Sequence, residues 1–247
     1  MDFGNMIKNK YHQDLVKLFE ENKKIQPNNS WSKRYLGTSK IYYNLKSSDK
    51  RKLIKNYLKS KDLSFEDFKK LLMSLSQGDS FEEVSSMGII LELYPKYRNK
   101  LETKIVDKLF DYVEGWAEVD ATCVFRAEDL LANWPEWEKL LEDFNVDKNI
   151  HKRRASLVLL TLPLRKSSEP KLYELALKNV EKLEGEKDVL ITKAVSWLLR
   201  SMIKTHPEIV KEYLDKNEES LPQIAVREVK SKLLTGKKYV NKKKNGT

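Results

Sequence analysis

Ser80-Phe81-Glu82-Glu83-Val84-Ser85-Ser86-Met87-Gly88-Ile89-Ile90-Leu91-Glu92-Leu93-Tyr94-Pro95 reads as a helix with both of its ends marked. Ser80 and Glu83 have the spacing of a capping box, in which each side chain bonds the other's main-chain N–H. Val84, Met87, Ile90, Leu91 and Leu93 follow at helical intervals and define an apolar side. Pro95 has no N–H to give and stops the run.

The same signals recur on either side. Ser64-x-x-Asp67 opens a run of Phe65, Phe68, Leu71, Leu72 and Leu75, with Asp in place of the usual Glu. Before it, a helix is expected from Asp49 to about Ser60. An opening helix is expected from Met6 to Lys24, with Leu15, Leu18 and Phe19 inward. Gln26-Pro27-Asn28-Asn29-Ser30 breaks the chain, and Trp31 to Asn44 is an aromatic, basic segment. Downstream, a helix is expected from Lys96 to Tyr112, then one holding Trp116 and Asp120. Pro135 opens another through Trp137, Leu140 and Leu141. Further helices are expected over Lys148–Leu162, Pro170–Leu183, Asp188–Lys204, Pro207–Asn217 and Leu221–Leu234. Thr205-x-x-Glu208 and Ser220-x-x-Gln223 read as caps for the last two.

This pattern needs no strand and specifies an all-α protein. Helix pairs recurring roughly every 35 to 45 residues point to an α-solenoid of HEAT-like antiparallel pairs with a concave, basic face. A compact all-α bundle is the alternative. One repeat domain is expected over residues 1–235, followed by a basic, disordered tail over 236–247.

Lys and Arg number 47 against 37 Asp and Glu, a net charge of +10, which favours polyanionic partners, nucleic acid foremost. Cys123 is the only cysteine, so no internal disulfide forms and a reducing compartment fits. No Cys/His spacing suggests a metal, and no cofactor is expected. The first residues lack a signal peptide's apolar run and no stretch is long enough to span a membrane, so a cytoplasmic, nucleoid-associated protein is expected. Nothing marks an oligomer interface, and a monomer is expected.

Within Glu114-Gly115-Trp116-Ala117-Glu118-Val119-Asp120, an indole and a carboxylate share one helix face. Two more stretches stand out: Asn149-Ile150-His151-Lys152-Arg153-Arg154-Ala155, and Lys193-Ala194-Val195-Ser196-Trp197-Leu198-Leu199-Arg200. Arg34-Tyr35 lies in the early aromatic segment. On a solenoid, Trp116, Asp120, Arg154 and Trp197 could reach one concave site. Each has a structural rival. Trp197 could be core, Arg154 could bond a neighbouring carboxylate, and Trp116 could be core with Asp120 solvated. His151 reads as surface, and Cys123 as a small buried residue without a basic partner.

On these motifs, with Pro207, Val210, Tyr213 and Arg227 downstream, the chain resembles the DNA alkylation repair glycosylases, HEAT-like repeat proteins of the AlkD type. The resemblance implies hydrolytic excision of positively charged N3- and N7-alkylated purines from double-stranded DNA, without flipping the base into a pocket. It implies that Trp116, Asp120, Arg154 and Trp197 line the cleft beside the lesion, and that Tyr35 lies near the DNA. Arg34, Arg153 and Lys193 are expected to add DNA contacts. An alkylated purine is already a good leaving group, so the demand falls on the sugar, which turns oxocarbenium-like. Asp120 suits that cation, the indoles offer π faces, and Arg154 suits a phosphate. No lysine nucleophile is required, which implies a monofunctional enzyme. Gly115 departs from the family, where a second tryptophan is common, and His151 stands where an aromatic is common. The alternative is a non-catalytic repeat protein that binds branched or damaged DNA.

Overall fold

The computed structural model describes residues 9–24 and 30–239, with side chains from Ser32 onward in the second stretch. All regular elements among them are helices, and the chain divides between Val124 and Phe125 into two compact units. The predicted starts at Met6 to Lys8, the Pro27-Asn28-Asn29 break and the tail beyond Tyr239 lie outside the described residues.

The first unit contains α1 (Lys10–Glu21), α2 (Ser30–Leu36), α3 (Ser47–Lys59), α4 (Phe65–Ser76), α5 (Phe81–Leu93), α6 (Pro95–Arg98), α7 (Thr103–Leu109) and α8 (Gly115–Thr122). Its hub is α5, which packs on α1, α3, α4, α6 and α8. Met87, Ile90 and Leu91 are fully buried there, and so is Ser86. Burying such apolar side chains contributes about 1.5–3 kcal/mol each. The capping box forms as the sequence specifies. Ser80 Oγ accepts from Glu83 N at 3.2 Å, and Glu83 Oε2 accepts from Ser80 N at 2.8 Å. The other Glu83 oxygen meets His12 Nε2 at 2.7 Å, and His12 Nδ1 meets Ser74 Oγ at 2.7 Å, so a buried polar chain ties α1 and α4 to the head of α5. Ile41 N donates to Asp79 O and Phe81 N to Ile41 O, an isolated bridge that pins the aromatic segment to the same point.

The second unit contains α9 (Ala127–Leu131), α10 (Trp134–Asn145), α11 (Ile150–Val158), α12 (Thr161–Leu164), α13 (Pro170–Leu183), α14 (Val189–Met202), α15 (Pro207–Asn217) and α16 (Gln223–Thr235). Its hub is α14, against which α11, α12, α13, α15 and α16 pack. Ile191, Val195, Leu198, Leu199 and Met202 form its buried face.

Several expected boundaries move. The helix expected over Lys96–Tyr112 is two helices, α6 and α7. At the break, Arg98 turns inward to donate to Leu91 O and Leu101 is buried, so tertiary burial overrides a run without a breaker. Lys148–Leu162 divides into α11 and α12 because the Pro163 ring opposes a helical carbonyl at Leu159. The two caps expected near the C-terminus do not form. Thr205 Oγ1 donates to Leu164 O at 2.6 Å and Ser220 Oγ to Asn217 O at 3.2 Å, while His206 and Pro222 hold the cap positions. The short α9 lies outside the expected helices; its Asp129 accepts from Arg126 N at 2.7 Å. Of the expected tail, Gly236 caps α16 in the left-handed region, and Tyr239 Oη donates to Glu228 Oε1 at 2.9 Å.

Candidate active site

The start of α8 is held by a turn that follows α2. Glu118 is fully buried, and its Oε2 accepts from Glu114 N at 2.7 Å, capping the helix from inside. Its Oε1 accepts from Thr38 Oγ1 at 2.9 Å, and Lys40 Nζ lies 3.3 Å from Oε2. Ser39 reaches Glu114 Oε2 through its amide at 2.9 Å and its hydroxyl at 2.7 Å. Burial pushes the Glu118 carboxyl up, against the Glu114 amide, Lys40 and Thr38, which favour its charge.

Gly37 and Gly115 make this docking possible. Both are left-handed, with φ of 74° and 67°. A Cβ at Gly115 would stand 2.4 Å from both Gly37 O and Leu36 O, and one at Gly37 would stand 3.1 Å from Gly115 Cα. No side chain fits at 115, which gives the departure from the family's tryptophan a physical reason. The space is filled by main chain rather than left loose.

Behind α8, its backbone runs against Gly88 of α5, where a Cβ would fall 1.7 Å from Ala121 O. With that face of α8 covered, Trp116 and Asp120 look into a cleft of about 410 Å³. Both are half-buried. Trp116 Nε1 donates to Tyr35 O at 2.5 Å, and the Tyr35 ring meets the indole edge-on, centroids 5.4 Å apart at 84°. Tyr35 and Arg34 are exposed. The structure thus brings Tyr35, Trp116 and Asp120 together within one unit.

Lys50 and Arg51 of α3 and Phe81 of α5 share the cleft wall, and sequence reasoning missed them. Lys50 is buried, donates to Ser85 Oγ, and lies 5.0 Å from the Phe81 ring centroid. Burial brings its ammonium down to about 8, opposed by the carboxylates of Glu82 and Glu118. Nothing distinguishes Lys50 from its lysine neighbours in sequence. Its burial is set by α3 packing on α5. Among the described residues no group of three or more His, Cys, Asp or Glu is gathered to hold a metal.

Arg154 and Trp197 belong to the second unit. Arg154 is buried and donates to Leu190 O at 2.6 Å, so its guanidinium serves the α11–α14 packing. Arg153 forks onto Glu186, at 2.7 and 3.3 Å, and also donates to Asp147 O and Lys148 O. Lys193 is exposed on α14, and one turn later Trp197 is half-buried, with the Arg165 guanidinium 5.9 Å from its ring. Trp197 lines a second cleft, of about 450 Å³, with Arg165, Lys166, Arg200, Lys204 and Lys232. Cys123 is buried, and His151 is half-buried beside its cap, Asn149.

Residues 15–233 match the family model described as DNA alkylation repair enzyme. Among solved structures, a predicted DNA alkylation repair enzyme from Enterococcus faecalis is similar, with a TM-score of 0.68 and 22% identity. The likeness covers 86% of this chain and 97% of that one. At that identity it speaks for a shared fold. A search of the curated proteins found no match.

Proposed function

The chain belongs to the DNA alkylation repair enzyme family, and on that premise we propose that it is a monofunctional DNA glycosylase. Its substrate is double-stranded DNA carrying positively charged N3- or N7-alkylated purines, and it hydrolyses the N-glycosidic bond without flipping the base into a pocket. One observation carries the reading. Asp120 stands beside Trp116 in an open cleft, on a helix whose start is locked from within by Glu118.

Alkylation makes the purine a cationic leaving group, so little acid help is needed at the base. As the bond to C1′ breaks, positive charge grows on the deoxyribose, and the Asp120 carboxylate stabilises it and orients the attacking water. Trp116 supplies a π face to the same sugar, held by its hydrogen bond to Tyr35 O. Trp197 is assigned the like role in the second unit, and Tyr35, Arg34 and Lys193, all exposed, are assigned DNA contacts. Arg154 is assigned a backbone phosphate and Arg153 a further DNA contact; as folded, Arg154 also donates to Leu190 O and Arg153 to Glu186. We assign the fold to HEAT-like repeats, the state to a monomer and the place to the cytoplasm.

Base release from methylated duplex tests the reading. The wild-type protein releases 7-methylguanine or 3-methyladenine. Asp120→Asn lowers that rate by about 100-fold or more, the scale of a lost electrostatic stabiliser, while duplex affinity is retained. Equal rates for the two proteins, or no release by either, would refute the assignment and leave the non-catalytic DNA-binding reading standing.

A further inference from the structure

The excision chemistry leaves Lys50 without a part, although it lines the same cleft as Trp116 and Asp120. It stands in the first turn of α3 and is buried. Among the described residues, Ser85 Oγ is the one hydrogen-bond acceptor its Nζ has, and that hydroxyl gives its own proton to Phe81 O. The Phe81 ring, 5.0 Å away, covers another side. An ammonium has three N–H groups to place, so burial against a single acceptor favours the neutral amine. Glu82 and Glu118 act in the opposite direction, but both are engaged elsewhere. Glu82 accepts from Tyr43 N at 3.0 Å and from Leu45 N at 3.2 Å, and Glu118 from Glu114 N. Burial prevails and brings the group down to about 8. About a tenth of Lys50 is then neutral at about pH 7, against less than about a thousandth of a lysine at the ordinary 10.5. A desolvated amine in the wall of an open cleft has the character of a lysine that attacks carbonyl carbon.

We propose that Lys50 captures the abasic sugar left by excision as a reversible imine. In the open-chain form of that sugar, C1′ is an aldehyde. The neutral Nζ adds its lone pair to C1′ while the carbonyl π pair moves onto oxygen. One amine proton passes to that oxygen and gives a carbinolamine. The hydroxyl then leaves with the second amine proton as water, and the nitrogen lone pair closes the C=N bond. One amine and one aldehyde thus yield one imine and one water, and the same water returns both. Nothing is oxidised or reduced. To reach the sugar, the Lys50 stem swings off one neutral hydroxyl, with no ion pair to break. Excision itself stays hydrolytic; the capture follows it and retains the product. The inference rests on the reading of the chain as a repair glycosylase, which brings the sugar beside Asp120 in this cleft.

Reductive trapping with the full chain is the test. The probe is a duplex carrying one ready-made abasic site, prepared by removing a uracil. Cyanoborohydride reduces the imine to a stable amine that joins protein to DNA. Denaturing gels measure the adduct, and mass spectrometry of its digest locates it. The wild type is expected to give an adduct at residue 50. Lys50→Arg keeps a cation without a nucleophilic amine and is expected to lower the yield by about 10-fold or more. Lys50→Met is expected to show the same loss, so either variant that folds by circular dichroism decides. Lys52→Met, at an exposed position outside the cleft, is expected to leave the yield unchanged. No adduct, an adduct on another lysine, or equal yields from the wild type and a folded Lys50 variant overturns the capture. Because the abasic site is supplied, the outcome is separate from base release. Trapping at Lys50 by a protein that releases no base would remove the glycosylase assignment alone, and base release without trapping would remove the capture alone.

Discussion

Gly115 shows how a single residue looks different in sequence and in space. In the sequence it is only a departure from a family pattern. In the fold it is a contact point between two main chains, with Gly37 O and Leu36 O where its side chain would be. Gly115→Ala is therefore expected to destabilise the protein by about 2 kcal/mol or more, from left-handed strain plus displacement of that backbone. Thermal unfolding should show a fall of about 4–8 °C. Gly185→Ala, where nothing lies within 4 Å of the added carbon, is the control and should be neutral or stabilising by up to about 1 kcal/mol. Lys50 gives a prediction in pH. Its folded pKa of about 8 lies below the ordinary 10.5. The unfolded chain thus holds the proton more tightly, and stability rises with pH between those two values. Lys50→Met removes this term. The wild type should be at a disadvantage to the variant below pH 8 and recover roughly 3 kcal/mol relative to it by about pH 10.5. Denaturant midpoints measured across that window check the slope and its sign.

At the scale of elements, most helices were legible because period, cap and proline agreed. That agreement is fullest in α5, where Ser80, Glu83 and Pro95 mark the ends and the apolar run between them is the buried hub. It failed where a cap motif met a competing acceptor. Ser220 spends its hydroxyl on Asn217 O, and α16 starts without a side-chain cap. Two matched substitutions separate the cases. Ser80→Ala should cost about 1–2 kcal/mol or more, since it also strips a hydrogen bond from the buried Glu83. Ser220→Ala should change stability by less than about 0.5 kcal/mol. Urea unfolding of both variants measures the contrast. The division of α6 from α7 could not be read at all, because no Gly or Pro stands there and the cause is the burial of Arg98 and Leu101.

For the molecule as a whole, helix content and family were open to reading, and the seam between the two compact units bears no local mark. The joint at Val124 and Phe125 lies between α8 and α9 with no glycine, proline or charge run to announce it, and Phe125 is buried with its ring 4.9 Å from Trp137. The candidate site was legible in part for a related reason. Helical spacing places Trp116 with Asp120, and both line one cleft. It says nothing of Lys50, Arg165 or Lys232, which reach their clefts through the packing of helices far apart in sequence. Charge totals show a similar limit. A surplus of +10 is one number for the entire chain, whereas Arg165, Lys166, Arg200, Lys204 and Lys232 gather around one indole.

The touching glycines carry an implication for ancestry. Because a side chain at 115 would collide with Gly37 O and Leu36 O, and one at 37 would press to 3.1 Å on Gly115 Cα from a left-handed backbone, the two behave as one inherited character. Descendants of this chain should keep both or replace both together, and one with a bulky aromatic at 115 should show a remodelled turn at 37.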